Sequence, residues 1–365
     1  MAFLLELELY KQEQTLIAVG VSKKQINRAG KILASKSAKK SEAYAIVEDW
    51  RASHSYPLRT IQRLLARNAR SVNKFALTSG RLKRMESIQL KLRRQFERHG
   101  HMDLISMQDI GGCRAVLWQV GQVHEVVQKL RMFFVEGGPF KPRFKDYIEK
   151  PKPDGYRGMH IAVQYYAKKP SQAPWSGMRI EMQIRSTLQH AWATAIETVD
   201  LFANEKLKLG RGIKEWSRFF ALASAMFARQ ENGPTVPGTP ESVNQATDEL
   251  RLLWMGLKVP NLLSGWVTAM NHISTHLEGA NFLLTVDSKK KQVKVTPFGA
   301  PYLNEAMAAY ACAEEEGRKN ISLDSVLVSV DKVADLQTAF PNYYADTADF
   351  LKELRAALND YSDLK

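Results

Sequence analysis

The chain is poor in cysteine and has no long apolar run. Cys113 and Cys312 are its only cysteines, and two isolated cysteines form neither a disulfide framework nor a zinc site. No run of about 18 apolar residues occurs, so no membrane helix is expected. The first residues, MAFLLELELYK, contain acidic side chains and lack a basic start, unlike a secretory signal peptide. We therefore expect a protein of the reducing cytoplasm without a membrane partner.

The common phosphate-binding and nucleophile motifs are also missing. The sequence contains no GxxxxGK[ST] loop, no GxGxxG and no G-x-S-x-G elbow. A nucleotide would therefore have to be held by Lys and Arg side chains together with a metal. Group transfer at such a site would be in-line and would depend on positioning and electrostatics, with no covalent enzyme intermediate.

Basic residues are abundant and unevenly distributed. The net charge is +14; residues 241–365 carry 12 Lys and Arg against 17 Asp and Glu, so residues 1–240 carry +19. A strongly basic body indicates a polyanionic partner, such as nucleic acid or nucleotides. The acidic C-terminal part could lie against that surface, or its charge could serve solubility.

The domain organisation follows from one Pro- and Gly-rich stretch. Residues 232–240 (NGPTVPGTP) are predicted to be a linker. We expect a basic helical region at 1–75 packed on a catalytic domain at 76–231, and a small α+β domain at 241–365. A helix near residues 58–69 places several arginines, spaced by three and four residues, on one face. These are Arg59, Arg63, Arg67 and Arg70.

The stretch 179–200 (RIEMQIRSTLQHAWATAIETVD) is the strongest candidate for a site. Its alternating start predicts a half-buried strand with Glu181, Gln183 and Arg185 on one face. A helix follows, on which His190 and Glu197 share a face because they lie seven residues apart. The pattern suits a metal-bound polyphosphate, but alone it fits the solvated face of a sheet equally well.

Two further stretches place cations and a carboxylate nearby. Lys83, Ser87 and Lys91 are spaced by four in RLKRMESIQLKLR, which fits either triphosphate binding or the wet face of an amphipathic helix. Asp109 precedes a predicted buried strand at 110–118, a usual place for a magnesium ligand. Arg114 lies inside that strand and needs a carboxylate or a ligand as partner.

A tight loop supplies an aromatic side chain among cations. Pro153-Asp154-Gly155 predicts a turn. The turn presents Tyr156, Arg157 and His160 beside Lys150 and Lys152. An aromatic ring in such surroundings can stack on a base while the cations hold its phosphates. A simple hairpin with a surface tyrosine is the alternative.

Together, four motifs in this order resemble the RelA/SpoT-type alarmone synthetase domain, over roughly residues 81–197. They are RLKRMESIQLKL, DIGGCR, KDYIEKPKPDGYRGMH and EMQIRSTLQHAWA. The resemblance implies an α+β, nucleotidyltransferase-like mixed sheet with flanking helices. It also implies an enzyme, a pyrophosphokinase that transfers the β,γ-pyrophosphate of ATP to a ribose 3′-hydroxyl with Mg²⁺ as cofactor.

The resemblance also implies roles for individual residues. Asp109 and Glu181 would be the catalytic and metal-binding carboxylates, with Glu181 able to take the proton of the attacking hydroxyl. ATP would be bound by Arg81, Lys83, Ser87, Lys91 and Arg114. The acceptor would be bound by Lys145, Lys152, Tyr156, Arg157, His160, Gln183, Arg185 and His190. The chain departs from the family pattern at Ser186, which replaces Thr, and at Gly158-Met159, which replace Ser-Leu.

The resemblance also leads to expectations about the acceptor and about regulation. Small alarmone synthetases use GDP or GTP, whereas a toxic branch modifies the 3′-CCA end of tRNA; the basic body and Arg59, Arg63 and Arg67 favour tRNA. The C-terminal part is similar to fused toxin–antitoxin proteins of the CapRel type, restrained until a phage protein engages them. The matching autoinhibitory segment contains Phe340, Tyr343 and Tyr344. The alternatives are a (p)ppGpp synthetase and a non-catalytic nucleotide- or RNA-binding regulator.

Overall fold

A computed structural model describes most of the chain. The described residues are 21–35, 41–100, 103–136, 142–202, 213–264, 269–270, 281–287, 289–290, 292–299, 302–320, 322–330 and 347–360. No helix within these ranges is both long and apolar enough to cross a membrane.

The described residues of the N-terminal region form three helices: α1 (Lys23–Ala34), α2 (Ser41–Ser53) and α3 (Ser55–Val72). A capping box between Ser22 and Gln25 fixes the start of α1. Helix α3 turns its apolar stripe, including Ile61 and Leu65, onto the central sheet. The amphipathic helices predicted here are confirmed.

The central part alternates strands and helices. Its elements are β1 (Leu77–Leu82), α4 (Met85–His99), β2 (Gly111–Leu117), α5 (Val120–Glu136), β3 (Arg143–Asp146), β4 (Met159–Gln164), β5 (Arg179–Ser186), α6 (Thr187–Phe202) and α7 (Ile213–Gln230). Ser186 and Gln189 exchange hydrogen bonds of 3.2 Å, which cap the start of α6. Helix α4, however, begins two residues after Lys83, which places Lys83 on the connection from β1 and not on the predicted helix face.

The C-terminal part adds α8 (Val243–Gly256), α9 (Val259–Ser264), β6 (Ala269–Met270), β7 (Asn281–Asp287), β8 (Gln292–Phe298), α10 (Leu303–Lys319), β9 (Leu323–Val330) and α11 (Ala348–Asp360). Strands β7 and β8 pair antiparallel, as the two apolar stretches at 281–286 and 292–296 predict. The sequence also predicts a helix from Glu249 to His276 with a break at Pro260. The break comes earlier, because α8 ends at Gly256 and Lys258 takes a φ of 52°, while Pro260 lies in the first turn of α9, where its missing N–H is harmless. The helix predicted at 269–270 is wrong, since these residues form β6.

The described strands form one nine-stranded sheet in the order β3-β4-β5-β2-β1-β9-β7-β8-β6. Strands β2 and β5 run parallel, while β1 pairs antiparallel with both β2 and β9. The C-terminal strands therefore continue the sheet of the central part. The linker and domain limits at 232–240 stay predictions, but the expected α+β architecture with flanking helices is confirmed.

Packing divides the sheet into two faces. Cys113, Ala115, Ile180 and Met182 point into the main core beneath α3 and α5. Since side chains alternate along a strand, the residues between them point to the other face. That second face carries the candidate site, and a separate aromatic core of α6, α7 and α11 lies beside it.

Candidate active site

A cavity of about 130 Å³ opens on this second face, over strands β1, β2 and β5. The strand register explains the assembly, because Gly112 lies opposite both Arg81 and Glu181. The absence of a side chain at Gly112 leaves the space open. The lining residues are Ser79, Gly80, Arg81, Lys83, Asp109, Gly112, Cys113, Arg114, Glu181, Gln183, Arg185 and Glu197.

One end of the cavity, called here the lysine end, consists of Asp109, Lys83 and Lys91. The Nζ atoms of Lys83 and Lys91 lie 3.0 and 2.8 Å from the two oxygens of Asp109. Burial raises the pKa of Asp109, but the two ammonium groups outweigh it and hold that pKa below its usual value. Asp109 is therefore ionised at neutral pH and is matched by two cations.

The other end, called the tyrosine end, is a closed ring of hydrogen bonds. It runs from Glu181 to His160 (3.1 Å), to the Tyr156 hydroxyl, to Arg185 (3.0 Å), to Gln183 (3.0 Å) and back to Glu181 (2.9 Å). Burial alone would raise the pKa of Glu181. The hydrogen bonds from His160 and Gln183 outweigh burial and hold that pKa below its usual value, so this carboxylate is also ionised. Each side chain in the ring is held by two neighbours.

Two features of the tyrosine end fit a ligand of negative charge. Arg185 is 4% exposed, and its Nε and Nη1 find no acceptor among the described residues. A buried guanidinium with unused donors indicates a bound anion or water. Lys152 also places its ammonium 4.7 Å from the centre of the Tyr156 ring and 4.4 Å from that of Tyr147.

A cluster of arginines closes the cavity. Arg81 and Arg114 lie on adjacent strands, diagonally across one register pair, and Glu197 reaches them from α6. Burial raises the pKa of Glu197, but these arginines and Arg185 lower it below its ordinary value. Glu197 balances the guanidinium groups and can orient them.

The residues fit a magnesium ion. Asp109 and Glu181 both line the cavity, both are held ionised, and carboxylate oxygens are the ligands that Mg²⁺ prefers. Among the described residues no group of three or more His, Cys, Asp or Glu forms a complete metal cage. Mg²⁺ commonly takes only one or two protein carboxylates and completes its coordination with substrate phosphates and water.

Hydrogen bonds on the side away from the cavity hold the loop that carries Tyr156. Arg157 is 2% exposed and donates to Glu231 (2.5 Å), which also accepts from Gln189 (3.1 Å) and Ser186. Ser224 donates to the Gly155 carbonyl at 2.6 Å. At Gly155, φ is +94°, and a Cβ would come within 2.9 Å of Trp192 and 3.0 Å of the Phe220 carbonyl.

The remaining predicted site residues lie at various distances from the cavity. Ser87 is half-buried on α4, one turn before Lys91; His190 is buried on α6; Lys145 is exposed on β3, opposite His160. Arg157 is buried against Glu231 and does not line the cavity, although it was predicted to bind the acceptor. Helix α3, with Arg59, Arg63 and Arg67, covers the opposite face of the sheet. Phe340, Tyr343 and Tyr344 lie outside the described residues.

Sequence reasoning missed several residues that shape this site. Tyr147 contacts both Tyr156 and His160 edge-on, at centroid distances of 5.7 and 5.2 Å. Glu197 was recognised only as sharing a helix face with His190. Ser224 within α7 and Glu231 just after it carried no local signal, since a single hydroxyl or acidic residue does not reveal a partner far away in sequence.

The C-terminal part contacts the lysine end. Buried Arg51 pairs with Glu314 of α10 at 2.8 Å and donates to the Lys83 carbonyl at 3.4 Å. Glu314 also accepts from the Met85 amide at 3.0 Å, at the start of α4. Arg84 pairs with Asp324 of β9. Arg84 and Met85, the two residues that follow Lys83, are therefore held by β9 and α10.

Comparison with known proteins agrees with the four motifs. Residues 80–201 match the family described as "Region found in RelA / SpoT proteins". A curated protein of Bacillus subtilis named GTP pyrophosphokinase YwaC is 28% identical over 125 residues, which are 32% of this chain and 54% of that protein. The match thus spans about half the length of that relative.

Solved structures give similar matches. The small alarmone synthetase 1 of Bacillus subtilis bound to its product pppGpp is 22% identical and has a TM-score of 0.39; the match covers 50% of this chain and 93% of that chain. A GTP pyrophosphokinase family protein of Streptococcus pneumoniae is 23% identical with a TM-score of 0.38, over 51% and 89% of the two chains. The expected resemblance is confirmed for residues 80–201, which match the RelA/SpoT region.

Proposed function

We propose that this RelA/SpoT region makes the chain an ATP-dependent pyrophosphokinase that transfers the β,γ-pyrophosphate of ATP to a ribose 3′-hydroxyl. The observation that carries the proposal is one cavity that unites two ionised carboxylates, Asp109 and Glu181, with lysines and arginines. Pyrophosphate transfer needs such an arrangement, because the reacting phosphates are polyanionic and the protein acts mainly by positioning them and stabilising charge.

The lysine end fits the donor. Lys83 and Lys91 now neutralise Asp109, and they can exchange that carboxylate for phosphate oxygens when ATP binds. Arg81 and Arg114 offer planar guanidinium groups that can stack on adenine. Asp109 and Glu181 would hold Mg²⁺, which would neutralise charge on the transferred phosphates.

The tyrosine end fits the acceptor. Tyr156 presents a ring that can stack on a base, while Arg185 has donors left for an anion. Glu181 accepts the proton of the 3′-hydroxyl. The new bond joins the acceptor 3′-oxygen to the β-phosphorus of ATP, the bond between that phosphorus and the α,β-bridging oxygen breaks, and AMP leaves with the electron pair.

The acceptor we favour is the 3′ end of tRNA. The charge of +19 on residues 1–240 and the exposed Arg63 and Arg67 support a large polyanion. GDP or GTP is the second candidate, and the name of the curated relative, a GTP pyrophosphokinase, supports it. Either reaction requires the cytoplasm, where the nucleotides and tRNA are found.

We also propose that the C-terminal part regulates the enzyme as an antitoxin-like domain, relieved by a phage protein in a defence response. The contacts of Arg51, Arg84 and Met85 with α10 and β9 support this, because they join the C-terminal part to the start of α4. An autoinhibitory role for Phe340, Tyr343 and Tyr344 stays a prediction.

The test incubates the full-length protein with γ-labelled ATP, Mg²⁺ and either deacylated tRNA or GDP. A variant with alanine at Phe340, Tyr343 and Tyr344 is assayed in parallel, because restraint could hide activity in the native chain. Label on tRNA supports the favoured acceptor, and a stronger signal from the triple variant supports autoinhibition.

Label on GDP alone would make the chain a (p)ppGpp synthetase. Asp109→Asn serves as the control and should abolish labelling of either acceptor. A lack of label on both acceptors, from both proteins, would contradict pyrophosphate transfer. It would favour a non-catalytic regulator, for which Asp109→Ala and Glu181→Ala should leave the cellular phenotype unchanged.

A further inference from the structure

Two large aromatic side chains lie in solvent next to each other, away from the cavity. Phe75 is 63% exposed and Trp118 is 60% exposed. Their rings are stacked with an interplanar angle of 11° and a centroid distance of 5.7 Å. An exposed, stacked pair presents a flat apolar surface that the protein core does not use, and such surfaces mark binding sites.

The backbone around both rings is fixed by one polar network. The Phe75 amide donates to the Asn73 side chain at 2.9 Å, and the Trp118 amide donates to the Gln122 side chain at 3.0 Å. Asn73 and Gln122 are hydrogen-bonded to each other at 3.3 Å, and Thr187 donates to the Trp118 carbonyl at 3.0 Å. The two rings are thus positioned before any ligand binds.

Cations surround this pair. Lys74 places its ammonium 4.9 Å from the centre of the Phe75 ring. Helix α3, which ends just before Phe75, carries exposed Arg63 and Arg67. From Arg63 to the end of α3 at Val72 the axial distance is about 14 Å, at 1.5 Å per residue. A basic strip therefore leads along α3 to the aromatic pair.

The same two strands connect the pair to the cavity. Trp118 directly follows β2, four residues after Arg114, and Phe75 comes four residues before Ser79 of β1, which also lines the cavity. At about 3.3 Å per strand residue, each ring lies roughly 13 Å along its strand from a cavity residue. A short single-stranded segment can span this distance, whereas a mononucleotide bound in the cavity cannot.

We propose that Phe75, Trp118 and Lys74 form a stacking platform for an unpaired base of an RNA strand whose 3′ end enters the cavity. Aromatic stacking with nearby cations is how proteins hold single strands. The inference rests on the proposed function, and it deepens it by making these residues select a polynucleotide over GDP or GTP.

The test measures binding, without ATP, of a single-stranded RNA that ends in CCA and of intact deacylated tRNA to the full-length protein. Trp118→Ala and Phe75→Ala should each raise the Kd for RNA about 5- to 150-fold, the range seen when a stacking residue is removed. Trp118→Phe should restore most of the affinity, because it keeps an aromatic face.

The matched control is Tyr302→Ala, which removes an aromatic side chain that is 57% exposed just before α10. It should leave the Kd for RNA unchanged. The Kd for ATP should be the same in all variants, since none of the substitutions touches the cavity.

The outcomes separate this inference from the proposed activity. If the wild-type protein binds no RNA, or if Trp118→Ala and Phe75→Ala bind it as tightly as the wild type, the platform is refuted even if pyrophosphate is transferred to GDP. If the substitutions instead convert a dimer to a monomer in sedimentation without changing the Kd for RNA, the pair is an interface between two copies and the inference is wrong. If Trp118→Ala and Phe75→Ala lose RNA affinity but the wild-type protein transfers no pyrophosphate, the stacking platform is supported and the proposed enzymatic activity is refuted.

Discussion

The two ends of the cavity hold one ionised carboxylate each, but they hold it in different ways. At the lysine end, Asp109 is matched by two flexible ammonium groups, and the segment that carries Lys83 is held by the C-terminal part. At the tyrosine end, Glu181 belongs to a closed ring of hydrogen bonds. The loop that carries Tyr156 is held in addition by hydrogen bonds from Arg157 to Glu231 and from Ser224 to the Gly155 carbonyl.

This difference indicates a division of work. Lysine ammonium groups can move from one anion to another, so Lys83 and Lys91 can pass from Asp109 to phosphate oxygens when a metal ion takes their place at that carboxylate. The ring of hydrogen bonds holds the side chains of the tyrosine end in fixed positions, which orientation of a hydroxyl nucleophile requires. We propose that the C-terminal part acts at the lysine end, whereas the tyrosine end is formed before a substrate binds.

The largest effect should come from removing either carboxylate. Asp109→Asn and Glu181→Gln should each lower kcat/KM by roughly 10³-fold or more, because each removes charge stabilisation at the reacting phosphates or hydroxyl. Glu149→Gln, at an exposed carboxylate near the tyrosine end, is the control and should act as wild type. If one of the two substitutions were harmless, the ends would not share one reaction.

A second prediction separates the ends by substrate. Ser224→Ala removes the hydrogen bond to Gly155, and we expect a rise of roughly 10-fold in the KM for the acceptor with the KM for ATP unchanged. Glu314→Gln weakens the contact with Arg51 beside Lys83, and we expect a comparable rise for ATP alone. Glu316→Gln, exposed on the same helix, is the matched control. Equal effects on both substrates would mean that the two ends are not independent.

Opening the ring should cost less than removing its carboxylate. Tyr156→Phe keeps the aromatic face but loses the hydroxyl between His160 and Arg185, so kcat/KM for the acceptor should fall about 5- to 10-fold while ATP binding is unchanged. Tyr147→Phe removes a hydroxyl from the same aromatic group and should have no comparable effect. Identical results for the two variants would show that the ring does not position the acceptor.

The smallest effect is a shift in pH dependence. Lys91 lowers the pKa of Asp109, so Lys91→Gln should raise that pKa and move the acid limb of kcat/KM to higher pH. The sign follows because a carboxylate with a raised pKa takes up its proton sooner as pH falls. Lys129→Gln on α5 is the control for lost charge. An unchanged acid limb would show that Asp109 is not the group that limits activity in acid.

Much of the site was predictable because its residues follow local rules. Period-2 alternation placed Glu181, Gln183 and Arg185 on one face of β5, and a carboxylate before a buried strand identified Asp109. Those patterns depend only on neighbours in sequence, so the sequence alone predicts on which face or at which end of a strand such a residue lies. The arginine stripe of α3 was also read correctly as one helix face.

Other features depend on contacts between distant segments and carry no local signal. Arg157 looked like part of a loop that binds a ligand, yet Glu231, 74 residues away in sequence, buries it. Lys83 fits a helical spacing with Lys91. However, the Lys83 amide donates a hydrogen bond to the Ile110 carbonyl, and the helix begins only at Met85. The Pro- and Gly-rich linker gave no sign that strands beyond it would join the same sheet.

That shared sheet has a consequence for the time at which the enzyme is completed during synthesis. Ser79 of β1 pairs with Val330 of β9, which leaves the ribosome roughly 250 residues later, or about ten seconds to one minute at ~5–20 residues per second. Until then, the outer edge of β1, the strand that carries Arg81, has no partner from β9. A nascent chain in which β9 has not yet been made therefore has β1 paired with β2 on one side and an unpaired strand edge on the other.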